Sequence, residues 1–178
     1  MKQKMNTIAL TTIALMTAVT CILGPLSIPI GSVPISFTNL AIYFSVYLIG
    51  AKYGTISYIL YLFIGFVGVP VFSGFTAGAG KLMGPTGGYL IGFIFLTAIS
   101  GWFIERFHGR RVTSAIGMVL GTAVCYLFGT IWLCFQSNLS LEAGLMVGVI
   151  PFIPGDLIKI MVATAIGPVI LKQLQRAQ

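Results

Sequence analysis

"VTSAIGMVLGTAVCYLFGTIWLCF", from Val112 to Phe135, carries no charged side chain. In water such a stretch has no face to turn outward. In a bilayer it is long enough to cross, since a spanning helix takes roughly 20 mostly apolar residues. Its length suits a helix better than a barrel strand, because a helix satisfies its backbone polar groups within the segment. Five further stretches read the same way: Ile8–Leu23, Phe37–Ile49, Tyr53–Val69, Gly87–Ile104 and Leu157–Leu171. Two of them are short, so their ends include weakly polar neighbours. Ala143–Ile153 is a weaker seventh stretch, closed by Pro151 and Pro154. It reads as a short helix lying at the surface or dipping in.

The whole chain agrees with this reading. Its 178 residues are 57% hydrophobic and only 7% charged, with a mean hydropathy of +1.03. A soluble domain carries roughly 25% charged residues, so this composition leaves too little charge to cover a surface facing water. The expected fold is all-α, a polytopic membrane protein with six transmembrane helices in a single domain over 1–178.

Charge placement fixes the expected orientation. With the N-terminus inside, Lys2, Lys4, Lys52, Arg106, Arg110, Arg111, Lys172 and Arg176 fall on the cytoplasmic side, eight of the ten basic residues. That is the positive-inside bias, and a seventh span would break it. Both termini are therefore expected in the cytoplasm. The net charge of +7 belongs to topology, with no nucleic-acid partner. Lys2 and Lys4 before an apolar run also resemble a signal peptide. Gly24-Pro25-Leu26 lacks a small-x-small cleavage pattern, however, so a retained first helix is expected.

The outer connections Pro25–Ser36, Pro70–Thr86 and Gln136–Asp156 are almost uncharged and rich in Gly, Pro, Phe and Ile. Solvated loops are normally polar. Such segments either pack among headgroups or fold over a cavity between the helices, and the second is the expectation here. In the first helix Ala14 and Ala18, with Ala9 nearby, are small residues on one face that permit close helix approach. They serve either internal packing or docking of another membrane protein.

Several chemistries are excluded. "GAGKLMGPTGGYLIGF", Gly78–Phe93, has glycines beside a lysine, yet Gly80-Lys81 is followed by Leu82 rather than Ser or Thr, and Phe75 stands where the first P-loop glycine belongs. The dinucleotide fingerprint fails at Met83. With no other candidate ATP site, an ATP-driven step requires a partner. His108 is the only histidine, and Cys21, Cys125 and Cys134 lack ligand spacing, so no metal or cofactor is expected. Asp156, Glu105 and Glu142 are the only acids, too few for a paired-carboxylate hydrolase. The chain is not expected to be an enzyme.

The remaining polar groups lie near the outer ends of the spans. Ionisable groups within a membrane are costly and mark functional candidates. "PFIPGDLIKIM" places Asp156 at the start of the last helix and Lys159 three residues later on about the same face. Asp156 either caps that helix while Lys159 pairs with it or snorkels to the interface, or the two point into a cavity as acceptor and donor. Lys81 is a lone outer-loop lysine. Tyr89 is either an interfacial belt tyrosine or a ligand contact. Thr38 and Asn39 are helix caps or ligand contacts.

"GPTGGYLIGF" at Gly84–Phe93, preceded by "GVPVFSGFTAGAGKL", resembles the signature region of the BioY family. These are biotin-binding S-components of energy-coupling factor (ECF) vitamin transporters. "VPISFTNLAIYFSVYLIGAKYGTISYILYLFIGFVGVPVF" and "PFIPGDLIKIMVA" are similar to the same family, in the same order. The resemblance implies a chain of the cytoplasmic membrane that binds one biotin near the extracellular face under the outer loops. Its implied partners are a transmembrane coupling subunit and two ATP-binding cassette ATPases. The family's D-x-x-K pattern falls on Asp156 and Lys159, and its small-x-x-x-small docking pattern on Ala14 and Ala18. Within that expectation Phe37, Phe72 and Tyr89 cover the fused rings, and Thr38, Asn39 and Thr86 lie at the site. Gly84, Gly87 and Gly88 let backbone approach the ligand. Lys159 supplies a cation or donor and Asp156 accepts from a ureido N–H. A partner-independent biotin carrier and an S-component for another small vitamin remain the alternatives.

Overall fold

The computed structural model describes residues 7–29 and 33–177, with side chains through Gln173. Lys2 and Lys4 lie outside the described residues. The chain forms α1 (Thr7–Leu23), a two-stranded ribbon of β1 (Ser27–Ile28) and β2 (Ile35–Ser36), α2 (Thr38–Phe66), α3 (Ala79–Met83), α4 (Gly87–Arg106), α5 (Arg111–Ser137), α6 (Leu141–Gly148) and α7 (Ile153–Ala177). The ribbon is antiparallel and pairs Ser27 with Ser36 and Ile28 with Ile35. Four helices, α2, α4, α5 and α7, are long and apolar enough to cross a membrane, and α1 is apolar but shorter.

Two stretches expected as separate helices, Phe37–Ile49 and Tyr53–Val69, run together as α2, but the helix is broken at Gly50 (φ 76°, ψ 179°). Only glycine adopts that backbone readily. Gly54 comes against Val46 and Ser45, eight and nine residues earlier. A continuous helix holds such positions roughly 12 Å apart, so the two halves fold back on each other. The single acid at this turn is used locally. The Glu105 carboxylate, in the last turn of α4, accepts the backbone N–H of Ala51 at 2.8 Å. It thereby caps the second half of α2, whose first amides have no partner within their own helix.

Small residues set the closest packing. α4 and α5 make the most extensive helix contact, with Gly88 against Trp132, Gly92 against Cys125, Gly117 against Phe103, Gly121 against Leu96 and Gly129 against Tyr89. Added side chains at these points would push the helices apart. α5 ends at Asn138 in left-handed backbone (φ 51°), a conformation asparagine tolerates as a helix cap.

The weak seventh stretch is indeed a short helix. α6 starts earlier than Ala143 because Ser140 accepts the Ala143 N–H and Glu142 sits in its first turn. α7 also begins earlier than expected, at Ile153 rather than Leu157. Pro154 falls in its first turn, where the missing N–H would have no intrahelical acceptor, so it starts the helix instead of ending the preceding one.

One end of the bundle carries the ribbon, α3 and α6. The other holds the Gly50 turn and the α4–α5 connection, where exposed Lys52, Arg106, Arg110, Arg111 and Lys172 gather. There Gly109 abuts Leu171 of α7.

Candidate functional site

At the ribbon end, α2, α4, α5, α6 and α7 converge on a cavity roofed by Val33–Ser36, that is, β2 and the two residues before it. Its walls are largely apolar, with Leu90 and Phe93 from α4, Cys125 from α5 and Phe152 ahead of α7. The polar groups gather on one side.

Asp156 is the hub of that side. It stands inside α7, its own N–H donating to the Phe152 carbonyl at 2.9 Å, so it does not cap the helix. Its Oδ1 accepts from Asn39 Nδ2 at 2.8 Å and Lys159 Nζ at 3.0 Å, and its Oδ2 accepts from the Tyr126 hydroxyl at 2.6 Å. Lys159 donates a further bond, 2.7 Å long, to the backbone carbonyl of Ser36 in β2. This is the one salt bridge among the described residues, and both side chains are about nine-tenths buried. Burying two charges is costly unless they pair and their remaining bonds are made. Here three donors from three helices meet one carboxylate.

Counting valences shows what remains. A carboxylate offers about four lone-pair positions and an ammonium three protons. Asp156 uses three positions and Lys159 two protons. One acceptor position and one N–H are left, on two side chains that line the cavity. The site presents a matched donor and acceptor, already ordered, against an apolar wall, which is the usual composition of a small-molecule pocket.

Of the residues singled out in the sequence, Asp156, Lys159, Asn39, Thr38, Thr86 and Tyr89 all line this cavity. Tyr89 is buried, not in an interfacial belt. Its hydroxyl bonds the Gly148 carbonyl at 2.9 Å and the Thr130 hydroxyl at 3.1 Å, tying α4 to α5 and α6. Asn39 serves the hub. Thr38 takes a bond from the Ser36 hydroxyl at 2.9 Å.

Phe37, Phe72, Gly84, Gly87 and Gly88 are not among the lining residues. Phe72 is fully buried over Gly65 and edge-on to Tyr61, with ring centroids 5.6 Å apart, so it belongs to the packed core. Phe37 is partly exposed. The neighbours that these glycines admit in the structure are protein groups. A Cβ on Gly87 would overlap the Leu82 carbonyl of α3, and one on Gly88 the Trp132 side chain. The Gly84 carbonyl accepts from the Trp132 indole N–H at 3.0 Å. The block therefore seats α3 on α4 and α5.

Lys81, in α3, is half-buried, which pushes its amine below the usual lysine value. Ala14 and Ala18 are exposed on α1, whose buried residues are Ile13, Met16, Thr17 and Thr20. Internal packing is thus not their role. Among the described residues no group of acids, cysteines or histidine is placed to hold a metal.

Sequence reasoning missed Tyr126, Phe93, Phe152 and the ribbon. Tyr126 had a signal, being a phenol in the middle of an otherwise apolar run, four residues after Thr122 on the same face.

Known proteins carry the same plan. The profile of the BioY family matches residues 1–176. "Biotin transporter BioY2" of Lactococcus lactis subsp. cremoris is 33% identical, covering 93% of this chain and 91% of its own. "Biotin transporter BioY" of Thermotoga maritima is 38% identical, covering 79% and 82%. A crystal structure of the S-component for biotin from an ECF-type ABC transporter superposes with a TM-score of 0.86 at 37% identity, over 97% of this chain and 95% of that one. A match along nearly the whole length, joined to a shared fold, identifies the chain as a member of the BioY family.

Proposed function

We propose that this chain is the biotin-binding component of an ECF-type transporter in the cytoplasmic membrane. It captures the vitamin for uptake while partner ATPases supply the energy; it is not an enzyme. The observation that carries this reading is the pair of unused valences at Asp156 and Lys159. Biotin joins a compact, mostly apolar fused ring system to a ureido group and a carboxylate. Leu90, Phe93 and Phe152 offer the rings an apolar wall. Lys159 gives its free N–H to an anionic or carbonyl oxygen, and Asp156 takes a ureido N–H.

Six spans complete the picture: α1, the two halves of α2, α4, α5 and α7. The basic cluster around Lys52, Arg106, Arg110 and Arg111 would face the cytoplasm, by the positive-inside bias. The cavity then faces outward beneath the ribbon, α3 and α6, and both termini lie inside, in one domain. Docking on the coupling subunit uses the outward face of α1 at Ala14 and Ala18, where small side chains let a partner helix come close.

The free space in the cavity is about 60 Å³, whereas pockets for small molecules usually offer roughly 300 Å³ or more. The proposed admission therefore involves movement of the roof, Val33–Ser36, and of the Pro70–Thr86 segment, which contributes Ser73 and Thr86 to the cavity. Native mass spectrometry of the purified chain tests the assignment. Biotin is expected to copurify with the wild type and to be absent from Lys159→Met. A wild-type protein that takes up no biotin, even at saturating concentration, would reject it.

A further inference from the structure

Behind the polar hub lies a second space, of about 150 Å³, between α5 and α7 on the outer face of the bundle. Val119 and Ala123 of α5 form one side, with Leu157 and Ile160 of α7 on the other. Thr122, Tyr126 and Asp156 line both this groove and the ligand cavity. The wall between them is thus one side chain thick. Ala123 is the smallest side chain lining the groove, so a larger residue there is the natural way to fill it.

We infer that one acyl chain of a membrane lipid occupies this groove and forms the outer wall of the ligand site. Three observations favour a hydrocarbon occupant. The polar side chains at the groove already have partners: Thr122 Oγ1 bonds the Met118 carbonyl and the Tyr43 hydroxyl, the Tyr126 hydroxyl bonds Asp156, and Asp156 holds its three donors. Beyond the one acceptor position left on Asp156, water would find little to bond against Val119, Ala123, Ile153, Leu157 and Ile160, so the space favours methylene groups. Val119 and Leu157 on its rim are half exposed, on two helices apolar enough to cross a membrane. From Val119 to Tyr126 the groove follows α5 for roughly 10 Å, an extended path parallel to the helices and thus to lipid chains.

The consequence is a coupling between lipid and ligand. A chain in the groove keeps water away from the back of Asp156 and holds the Tyr126 ring in place. The site is then completed by the membrane. The affinity arm below rests on biotin being the ligand; the lipid arm does not.

The test compares wild type with Ala123→Phe, which places a ring in the groove, and with Ala123→Leu should the larger ring prevent folding. Protein is reconstituted in nanodiscs of palmitoyl-oleoyl phosphatidylglycerol, released into maltoside detergent and examined by native mass spectrometry. Wild type is expected to retain one lipid and the variant none. Biotin affinity of the wild type should weaken about fivefold or more on detergent exchange and recover when the lipid returns, whereas the variant changes less than about twofold. By reciprocity, biotin should raise lipid retention by the same factor. Equal lipid retention in both proteins overturns the inference, as does a wild-type affinity indifferent to lipid. A wild-type dimer that Ala123→Phe makes monomeric overturns it too, in favour of a second copy in the groove. If neither protein binds biotin, the transport reading fails while lipid retention still decides who occupies the groove.

Discussion

Replacing Lys159 by Met removes the cation while keeping a side chain of similar length. Three bonds are affected: the 3.0 Å pair with Asp156, the 2.7 Å bond to the Ser36 carbonyl, and the free N–H reserved for the ligand. A hydrogen bond to a charged group contributes about 1.5–3 kcal/mol. Loss of the ligand's bond alone therefore weakens biotin binding about ten- to hundredfold, at roughly 1.4 kcal/mol per decade. The second effect falls on stability. Removing one member of a buried pair typically costs about 3–5 kcal/mol, but Asn39 and Tyr126 still donate to Asp156, which holds the cost toward the lower end. The third falls on the roof, since Ser36 loses its tether. Isothermal titration in nanodiscs reads the first effect, thermal unfolding the second, and amide exchange across Ser27–Ser36 the third. Affinity within about twofold of wild type, with unchanged exchange in the ribbon, would refute the assignment of Lys159 as both ligand donor and roof tether.

Tyr126→Phe removes the 2.6 Å phenol bond to Asp156 and should lower biotin affinity about tenfold with the fold intact by circular dichroism; equal affinity would mean the hub does not need it. Ala14→Trp and Ala18→Trp should abolish most uptake in cells that supply the coupling subunit, yet leave binding to the purified chain unchanged, because both positions face outward. Unimpaired uptake would place docking elsewhere. Saturating biotin should slow amide exchange in Val33–Ser36 and Pro70–Thr86 but not in Glu105–Arg111, and uniform exchange with and without ligand would reject a moving roof. Gly50→Ala forces a Cβ into left-handed backbone and into the Glu105 carboxylate, so it should cost about 1–2 kcal/mol of stability or more, measured as a lowered unfolding midpoint.

The helices were legible because an uncharged run such as Val112–Phe135 has few other uses. The acid–base pair was legible too, since three residues of helix bring Asp156 and Lys159 to one face. Its partners were not. Asn39 is 117 residues from Asp156 and Tyr126 is 30, and no local pattern announces a bond between helices. The ribbon was invisible for a related reason: strands of two residues carry no alternation to detect. The glycine block is ambiguous in sequence, because a close backbone approach looks the same whether the neighbour is a ligand or, as for Gly88 here, Trp132. Pro154 showed how a strong stop signal turns into a start signal when it falls within a first helical turn.

The bond from Lys159 to the Ser36 carbonyl has a kinetic meaning. On the proposed assignment the ammonium that meets the ligand also fastens the roof above it, so opening costs a charge-assisted bond whether or not the cavity is filled. Such a latch slows capture somewhat, and it slows loss far more, because a departing ligand must release its own bond as well. Residence time is gained at the expense of association rate. That exchange suits a biotin-uptake protein, which must hold each molecule until transport takes it on.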